Sequence, residues 1–433
     1  MKKSLRQHAN NAVSDKGRGI FGFLRILGPG LITGAADDDP SGISTYSIAG
    51  ASYGYATLWT ALLSFPLMAA VQLMCARLGM VTGRGLGSVI RTRYAGWASW
   101  LACFIVIAAN VFNIGADLGG MADCMQMMTG IPAYLWTPIF AIVIIALMLW
   151  TSYRTITRVF KWLTLALFAY FVTAFLARPV WSSVVKATFV PHLEWSRSYL
   201  AVLVGILGTT ISPYLFFWQA SQEVEEDRDR GKTTVAERRG ATEKELRAAQ
   251  TDVVTGMLLS NLVMYFLILT TAATLNAHGI KQIETAKQAA ETLRPLAGNA
   301  AYLLFTIGIV GTGMLSIPVL AGSCGYAMAD AARWRAASLG AQPKRAPKFY
   351  AVIVISVLVG ICFDFSGLDA MKMLFLSAIL NGILAPVLVV MVVLLTSDRK
   401  VMGAKVNSAW MAAIGWTCAL MMGTAALGLL FTL

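Results

Sequence analysis

Three consecutive aspartates interrupt an otherwise apolar run, residues 24–54, which reads LRILGPGLITGAADDDPSGISTYSIAGASYG. Pro40 follows Asp39 directly. Because proline has no amide hydrogen and disfavours helical geometry at the residue before it, a helix must break here. An ionised carboxylate in hydrocarbon is costly, so we expect Asp39 to face protein, water or a cation. Asp37 and Asp38 either approach the same cavity or hydrogen-bond neighbouring helix ends.

A second apolar run, residues 199–222, is interrupted in the same way and reads YLAVLVGILGTTISPYLFFWQASQ. Its hydroxyl residues Thr209, Thr210 and Ser212 precede the helix-breaking Pro213. Unwound backbone is tolerated at membrane depth where it lines a cavity. The carbonyls freed at the two breaks, with the aspartate carboxylate, would form an oxygen-rich and negative nest suited to a cation. The alternative, two ordinary proline kinks, explains the proline of the second run but not the aspartates of the first.

Five further polar residues inside apolar runs are candidates for an ion path. Asn110 and Asn113 are one helical turn apart and face one side, where they either line the path or form interhelical hydrogen bonds. Asp117 is placed near the outer end of the third span, either as a structural hydrogen-bond acceptor or in an outer vestibule. Gln219 and Glu223 follow the second break at helical spacing and are candidates for the inner exit.

The composition requires that these residues sit in a membrane. The chain has 433 residues, of which 57% are hydrophobic and 13% charged, and its mean hydropathy is +0.66. A soluble domain carries about 25% charged residues. The apolar runs are continuous over about 20 residues, which predicts helices and excludes the alternating strands of a membrane barrel. The fold class is therefore an all-α polytopic membrane protein.

Eleven candidate membrane spans follow from the apolar runs and the charged breaks between them. They are 21–51 (interrupted), 55–81, 97–127, 132–151, 156–177, 199–222 (interrupted), 250–274, 298–328, 349–363, 369–395 and 407–432. Spans one and six are both interrupted, and an odd number of spans per repeat inverts the second copy. Interrupted helices in corresponding positions of inverted halves indicate a transporter site at the membrane midplane.

The sequence divides accordingly into four segments. We predict a cytoplasmic tail 1–20, a first five-helix repeat 21–177, a second five-helix repeat 178–395, and a loop with an eleventh helix 396–433. The charged segment 223–248 reads as a solvated helical loop, with a regulatory or cation-gathering role as the alternative.

Charge placement gives the orientation. If the N-terminus is cytoplasmic, 26 of the 35 Lys and Arg residues fall on that side and 6 on the other. This asymmetry follows the positive-inside rule and places the C-terminus outside, in the inner (plasma) membrane of a cell. The net charge of +13 thus reflects topology and contact with the lipid bilayer, and we expect no nucleic-acid partner because no basic domain lies outside the bilayer.

Several chemistries have no support in the sequence. The six cysteines are scattered singly and form no Cys-x-x-Cys pair, and the three histidines lie in hydrophilic segments. Neither a disulfide framework nor an intramembrane histidine metal site is indicated. No phosphate loop, Ser-His-Asp set or pair of catalytic acids is recognisable, so we expect neither an enzyme nor a cofactor. The sequence does not give the oligomeric state.

Two of the quoted motifs resemble those of a known family. GPGLITGAADDDPSGI is similar to the first-helix signature of the natural resistance-associated macrophage protein (NRAMP) divalent-metal transporters, and GTTISPYLF is similar to their sixth-helix signature. The resemblance implies a LeuT-like 5+5 inverted repeat with broken helices 1 and 6. It also implies alternating-access transport of a divalent cation.

The resemblance further implies a set of site residues. By position, the metal-binding carboxylate is Asp39, and the family's asparagine falls on Gly42. The family alanine whose carbonyl binds metal falls on Thr209, its methionine on Ser212 and its histidine on Tyr214.

The remaining site positions that the resemblance implies fall on two other helices. The acidic pair of the family's third-helix proton path falls on Asn110 and Asn113. The tenth-helix glutamine falls on Ala378, with Ser377 and Asn381 nearby.

The departures from the family pattern point to a hard ion. The thioether that favours transition metals is absent, the site is widened, and the acidic and histidine proton relays are missing. The chain therefore most resembles the NRAMP-related magnesium transporter branch, which implies Mg²⁺ as the first-choice substrate, Mn²⁺ as a further one, and no proton coupling. Alternatives are a proton-coupled Mn²⁺/Fe²⁺ transporter of the usual NRAMP type, a Na⁺-coupled amino-acid symporter, and a divalent-ion sensor that does not transport.

Overall fold

The computed structural model describes residues 29–151, 155–156, 163–334, 337–364 and 367–432. The predicted tail 1–20 and the beginning of the first span lie outside these residues. Over this described part of the chain the regular elements are α-helices and short 3-10 segments, and no strand occurs. The all-α prediction is confirmed.

The helices follow in chain order. They are α1 (Pro29–Asp37), α2 (Pro40–Tyr53), α3 (Trp59–Thr82), α4 (Leu86–Arg93), α5 (Gly96–Thr129), α6 (Ala133–Trp150), α7 (Ala169–Leu176), α8 (Trp181–Phe189), α9 (Arg197–Thr210) and α10 (Pro213–Asp229). They continue as α11 (Val235–Arg238), α12 (Glu243–Thr274), α13 (Ala286–Ala290), α14 (Arg294–Ala297), α15 (Ala301–Ala332), α16 (Pro347–Asp364), α17 (Ala370–Ser397), α18 (Arg399–Met402) and α19 (Ala409–Phe431).

Each of the eleven predicted spans contains helix. Eight helical stretches of the described chain are long and apolar enough to cross a membrane, and the stretch Arg197–Asp229 includes α9 and α10. Two shorter apolar helices, Ala166–Leu176 and Pro347–Phe363, stand at the fifth and ninth predicted spans. The first span is divided between α1 and α2. The polytopic architecture with interrupted first and sixth spans is therefore as predicted.

Both interruptions are made in the same local way. A proline occupies the first turn of the second half-helix, Pro40 in α2 and Pro213 in α10. At this position the missing amide hydrogen costs no helical hydrogen bond, and the fixed φ of proline suits a helix start. Asp39 and Ser212, the residues before the two prolines, adopt an extended conformation, so neither first half-helix continues into the second.

Small residues let the first half of each broken helix approach a neighbour closely. A Cβ on Gly34 of α1 would collide with the main-chain carbonyl of Gly256 in α12. A Cβ on Gly208 of α9 would collide with the main chain of α17 at Ala378 and Gly382. Such close backbone contact is typical of helix packing in membranes. It fixes the position of each break relative to an unbroken helix.

The beginning of α1 is also held by α12. The carboxylate of Asp252 accepts hydrogen bonds from the amides of Gly30 (2.7 Å) and Leu31 (3.1 Å). The first amides of a helix have no partner within the helix, and an acidic group there is also favoured by the helix dipole. The side chain therefore caps α1 from another helix.

The charged segment 223–248 is helical over much of its length and most of its residues are exposed, in line with the solvated helical loop that the sequence suggested. Half of it continues the flanking helices, because α10 runs to Asp229 and α12 begins at Glu243. Three of its charged side chains, Glu223, Asp227 and Arg238, are buried. The charge density of the segment pointed to solvent, whereas packing of α10 and α11 against the ends of the spans covers these groups.

Candidate metal site

The carboxylate of Asp39 lies at the end of the first break, where α2 begins. As the N-cap of α2, Asp39 accepts hydrogen bonds through Oδ1 from the Gly42 amide (2.7 Å) and the Ser41 hydroxyl (2.8 Å). Its Oδ2 accepts from Nδ2 of Asn113 on α5 (2.8 Å). The side chain is 2% exposed. Three donors therefore converge on this carboxylate and fix its orientation within the bundle.

The second break is lined by neutral groups. Ser212 Oγ donates toward the carbonyls of Gly208 (2.9 Å) and Thr209 (2.7 Å). The hydroxyl of Thr210 donates to the Ile206 carbonyl (2.9 Å). Two of the carbonyls that the break frees are thus partly satisfied by local hydroxyls. Each carbonyl oxygen has a second lone pair, so the Thr209 carbonyl keeps an acceptor position for an ion.

Two tyrosines connect the breaks. The hydroxyl of Tyr214, in the first turn of α10, donates to the carbonyl of Ala36 near the end of α1 (2.9 Å). Thr209 Oγ lies 3.1 Å from the hydroxyl of Tyr46 on α2. Hydrogen bonds therefore join α10 to α1 and α9 to α2, with the donor on the second broken helix in both cases. Tyr214, which the family pattern aligns with a histidine, here serves as a donor to the main chain.

Asp37 and Asp38 turn toward another helix than Asp39 does. Ser260 Oγ on α12 donates toward Asp37 Oδ2 (2.6 Å) and Asp38 Oδ1 (3.2 Å). Within the described residues no group of three or more His, Cys, Asp or Glu side chains is arranged to hold a metal ion. The three aspartates therefore do not converge on one point, although Asp37 Oδ1 is buried without a hydrogen-bond partner.

One face of α5 carries acceptors toward the first break. Asn110, Asn113 and Asp117 stand at i, i+3 and i+7, and each is fully buried. Each has an Oδ1 atom without a hydrogen-bond partner in the described chain. Their other polar atoms bond to the Leu320 carbonyl (2.9 Å), to Asp39 and to the Ser316 hydroxyl (3.1 Å). This polar stripe supplies oxygen atoms beside the break.

Asp117 is nearer the site than the sequence indicated. It lies twelve residues before the end of α5 and not near that end, and it is close enough to Asp39 for the two carboxylates to repel each other. The Ser41 amide at the start of α2 faces both carboxylates. The helical spacing between Asn113 and Asp117 is the signal in the sequence that places Asp117 on this face of α5.

Three other predicted residues have different surroundings. A Cβ on Gly42 would meet Asp39 Oδ1 and the Tyr46 ring at 3.4 Å, an ordinary contact, so this glycine leaves space beside the carboxylate. Ala378 packs against α9, where its Cβ would lie 3.7 Å from a Cβ on Gly205. Asn381 on α17 is 1% exposed. Neither polar atom of its amide has a hydrogen-bond partner among the described residues.

A polar chain leads from the first half-helix along α10. Thr33 Oγ donates to Gln219 Oε1 (2.6 Å), and Gln219 Nε2 donates to Glu223 Oε1 (2.9 Å). All three side chains are buried. Gln219 and Glu223 thus lie on one face of α10, as their helical spacing predicted, and Thr33 of α1 is a partner that sequence reasoning missed.

The arrangement as a whole presents hard oxygen atoms at two helix breaks. One carboxylate, one carbonyl-rich break and several amide oxygens are the ligand types that Mg²⁺, Ca²⁺ and Mn²⁺ prefer. The position that the family fills with a thioether holds the hydroxyl of Ser212. Oxygen donors of this kind suit a hard cation better than a soft one.

Comparison with known proteins identifies relatives along nearly the whole chain. A divalent metal cation transporter, MntH, of Deinococcus radiodurans is 31% identical over 417 residues, which covers 93% of this chain and 88% of the relative. The MntH protein of Bacillus subtilis is 27% identical and covers 95% and 93%. These relatives match across both halves of the fold.

The fold is shared with solved transporter structures. The manganese transporter of Eremococcus coleocola superposes with a TM-score of 0.75 at 20% identity, covering 95% of this chain and 87% of the other. The nucleobase-cation-symport-1 family transporter Mhp1 superposes with a TM-score of 0.56 at 14% identity, covering 94% and 91%. The LeuT-like architecture expected from the motifs is confirmed. The family described as natural resistance-associated macrophage protein-like matches residues 30–432, and the chain therefore belongs to the NRAMP family.

Proposed function

We propose that this chain is a secondary transporter that moves divalent metal cations across the membrane by alternating access. The observation that carries the proposal is the buried carboxylate of Asp39 at the first helix break, where amides and hydroxyls orient it and amide oxygens of α5 accompany it. The names of the relatives, divalent metal cation transporters, support the same substrate class.

The preferred substrate in this proposal is Mg²⁺, with Mn²⁺ also carried. Mg²⁺ is usually held through one or two carboxylates with several waters retained. The oriented carboxylate of Asp39 and the hydroxyl of Ser212 suit such a partly hydrated ion, because both offer hard oxygen atoms. A soft thioether ligand, which would favour Mn²⁺, Fe²⁺ or Cd²⁺, is not supplied at this position.

Transport in this proposal is not coupled to protons. Proton relays in membranes use chains of Asp, Glu and His. The corresponding positions on α5 hold Asn110 and Asn113, and the helix-six position holds Tyr214, whose hydroxyl donates to a main-chain carbonyl. Neither amide nor phenol exchanges protons readily near neutral pH.

Uptake into proteoliposomes tests these statements together. Purified protein is reconstituted with an internal metal indicator and an internal pH dye, and Mg²⁺, Mn²⁺, Ca²⁺ and Cd²⁺ are supplied in turn. We expect Mg²⁺ uptake at millimolar concentration, competition between Mg²⁺ and Mn²⁺, and no internal acidification. Binding of these ions without flux would instead identify a sensor. Strong preference for Cd²⁺ with no response to Mg²⁺ would contradict the hard-ion proposal.

A second candidate, proton-coupled Mn²⁺ transport, is favoured by one observation. Asp117 is a buried carboxylate beside Asp39 and bonds to Ser316, and it is a proton acceptor that the α5 amides do not provide. In the same vesicles, proton influx that rises in proportion to Mn²⁺ influx, and that disappears in Asp117→Asn, would support this candidate.

The proposed orientation has the N-terminus in the cytoplasm and the C-terminus outside. It rests on the distribution of Lys and Arg along the chain. Labelling of single cysteines placed at residues 240 and 432 with a membrane-impermeant reagent in intact cells tests it. Only the residue near the C-terminus should react.

A further inference from the structure

A large cavity lies at the side of the molecule that carries most of the basic residues. It has a volume of about 850 Å³ and is lined by five arginines from four separate parts of the chain. Arg84 and Arg91 come from the α3–α4 connection and α4, Arg228 from α10, Arg238 from α11, and Arg333 from the end of α15. We call this the arginine cavity.

The arginines outnumber their counter-charges. The acidic residues lining the cavity are Glu225 and Asp330, which leaves an excess of three positive charges among the lining residues. Asp227 and Glu237, outside the lining, also attract Arg238. Glu225 is already paired with Arg228 (2.6 Å), and Asp330 Oδ1 accepts from the Ser88 hydroxyl (2.5 Å). In the described part of the chain, no ion pair joins a carboxylate to any of the other four arginines of the cavity.

One of these arginines is held in place by main chain alone. Arg238 is 5% exposed, and its guanidinium donates to the carbonyls of Gly83 (3.4 Å), Lys232 (3.1 Å) and Thr233 (2.8 Å). Burial, followed by repulsion from Arg228, lowers the pKa of the Arg238 side chain. An anion in the cavity would relieve this repulsion.

The cavity is separate from the proposed cation path. Ser221, Val224, Glu225 and Arg228 line it and form one stripe of α10 at i, i+3, i+4 and i+7. The Thr33–Gln219–Glu223 chain follows another face of α10. A cluster of arginines would repel a divalent cation, so the cavity does not suit a cation exit.

We propose that the arginine cavity binds a phosphate-bearing anion, either a free phosphate compound or the headgroup of an anionic lipid. The planar fork of arginine matches phosphate oxygens in geometry and charge. The hydroxyl of Thr234 lines the same space, and because its oxygen accepts from the Glu237 amide, its hydrogen can serve as a further donor. A volume of this size accommodates a small organic phosphate. The basic side of a membrane protein also faces the anionic leaflet.

The test uses the full chain in nanodiscs without divalent ions. Binding of inorganic pyrophosphate is measured by calorimetry in phosphatidylcholine nanodiscs, at constant ionic strength set with sodium chloride. Retention of phosphatidylglycerol is measured by native mass spectrometry after purification from mixed phosphatidylglycerol and phosphatidylcholine. The variant is Arg84→Gln with Arg333→Gln, because both side chains are exposed and make no ion pair in the described structure. The matched control is Lys344→Gln with Arg345→Gln, two exposed residues on the same side outside the cavity.

We expect the cavity variant to weaken anion binding by about tenfold or more, since two charge-assisted contacts are lost, while the control binds as the unmodified protein does. Pyrophosphate binding that depends on Arg84 and Arg333 would identify a free phosphate compound as the ligand. Phosphatidylglycerol retention that depends on them, without pyrophosphate binding, would identify a lipid headgroup. Equal results for the unmodified protein, the variant and the control with both probes would overturn the proposal. Metal uptake is not the readout, so failure here leaves the proposed transport function untouched.

Discussion

The two helix breaks satisfy their free backbone groups in opposite ways. At the first, a carboxylate accepts hydrogen bonds from the amides and hydroxyls that begin α2. At the second, the hydroxyl of Ser212 donates to carbonyls that end α9. The first break therefore presents negative charge, and the second presents neutral oxygen atoms that are partly occupied. The first break would compensate the charge of a cation bound between the two. The second break would determine whether hard or soft cations are preferred.

The two breaks also differ in their neighbours. The first is accompanied by the Oδ1 atoms of Asn113 and Asp117 on α5, which have no hydrogen-bond partner among the described residues, whereas the Oγ of Ser212 at the second donates to local carbonyls. Close main-chain packing is found beside both breaks, at Gly34 and at Gly208, so the buried acceptors of α5 are what distinguishes the first break. Substitutions at the first break are therefore expected to affect transport most.

The largest effect is expected from Asp39→Ala. Removal of the one carboxylate that caps α2 takes away the charge compensation for the ion, and we expect metal uptake to fall by about 100-fold or more. Uptake into proteoliposomes measures this. The control is Asp369→Ala, which removes an exposed aspartate outside the site. Normal Mg²⁺ or Mn²⁺ flux in a well-folded Asp39→Ala protein would show that the charge of the first break is not needed.

A smaller effect is expected when the second break is given a soft ligand. Ser212→Met with Gly42→Asn replaces a hydroxyl by a thioether and fills the space beside Asp39, where a Cβ meets its neighbours at 3.4 Å. We expect the ratio of Mn²⁺ to Mg²⁺ uptake to rise by about tenfold, because thioethers favour transition metals. Competition assays in vesicles measure the ratio. An unchanged ratio with normal uptake would remove the second break from selectivity.

A third test asks how far the first break depends on α5. Asp117→Asn keeps the shape of the side chain and removes its charge beside Asp39. Since loss of a negative charge beside the site weakens its attraction for a cation, we expect the metal affinity in uptake assays to weaken by about tenfold. Asp123→Asn, on the same helix nearer its end, is the control. Equal behaviour of the two variants would restrict the site to the breaks themselves.

The smallest effect is expected from the link between the breaks. Tyr214→Phe removes the hydroxyl that donates to the Ala36 carbonyl and leaves a buried acceptor unpaired. We expect a loss of about 1 kcal/mol in stability, seen as a lower Tm, with the order of metal preference unchanged. Tyr134→Phe, at an exposed tyrosine of α6, should leave the Tm unchanged. A changed metal preference in Tyr214→Phe would mean that the link takes part in selectivity.

Much of the architecture was predictable because its causes are local. A proline has no amide hydrogen and disfavours helical geometry at the residue before it, and the polar residues before Pro40 and Pro213 marked these two prolines as the breaks. Thr137 and Pro138 show that this signal is not sufficient, because they lie within the continuous helix α6. Apolar runs and charged gaps located the eleven spans. The stripe of Asn110 and Asn113 followed from helical spacing alone.

The orientation of the side chains depended on contacts between distant parts of the chain. Asp37 and Asp38 precede Asp39 directly, yet they face Ser260, more than two hundred residues away in sequence, while Asp39 faces Asn113. The burial of Glu223 and Arg238 within a densely charged segment likewise results from the ends of the spans that cover them. The sequence alone determined where the helices run and where they break, because propensity and hydrophobic length act within a segment. Only the tertiary structure decided which carboxylate, hydroxyl and arginine face each other, because that depends on which helix packs beside each break.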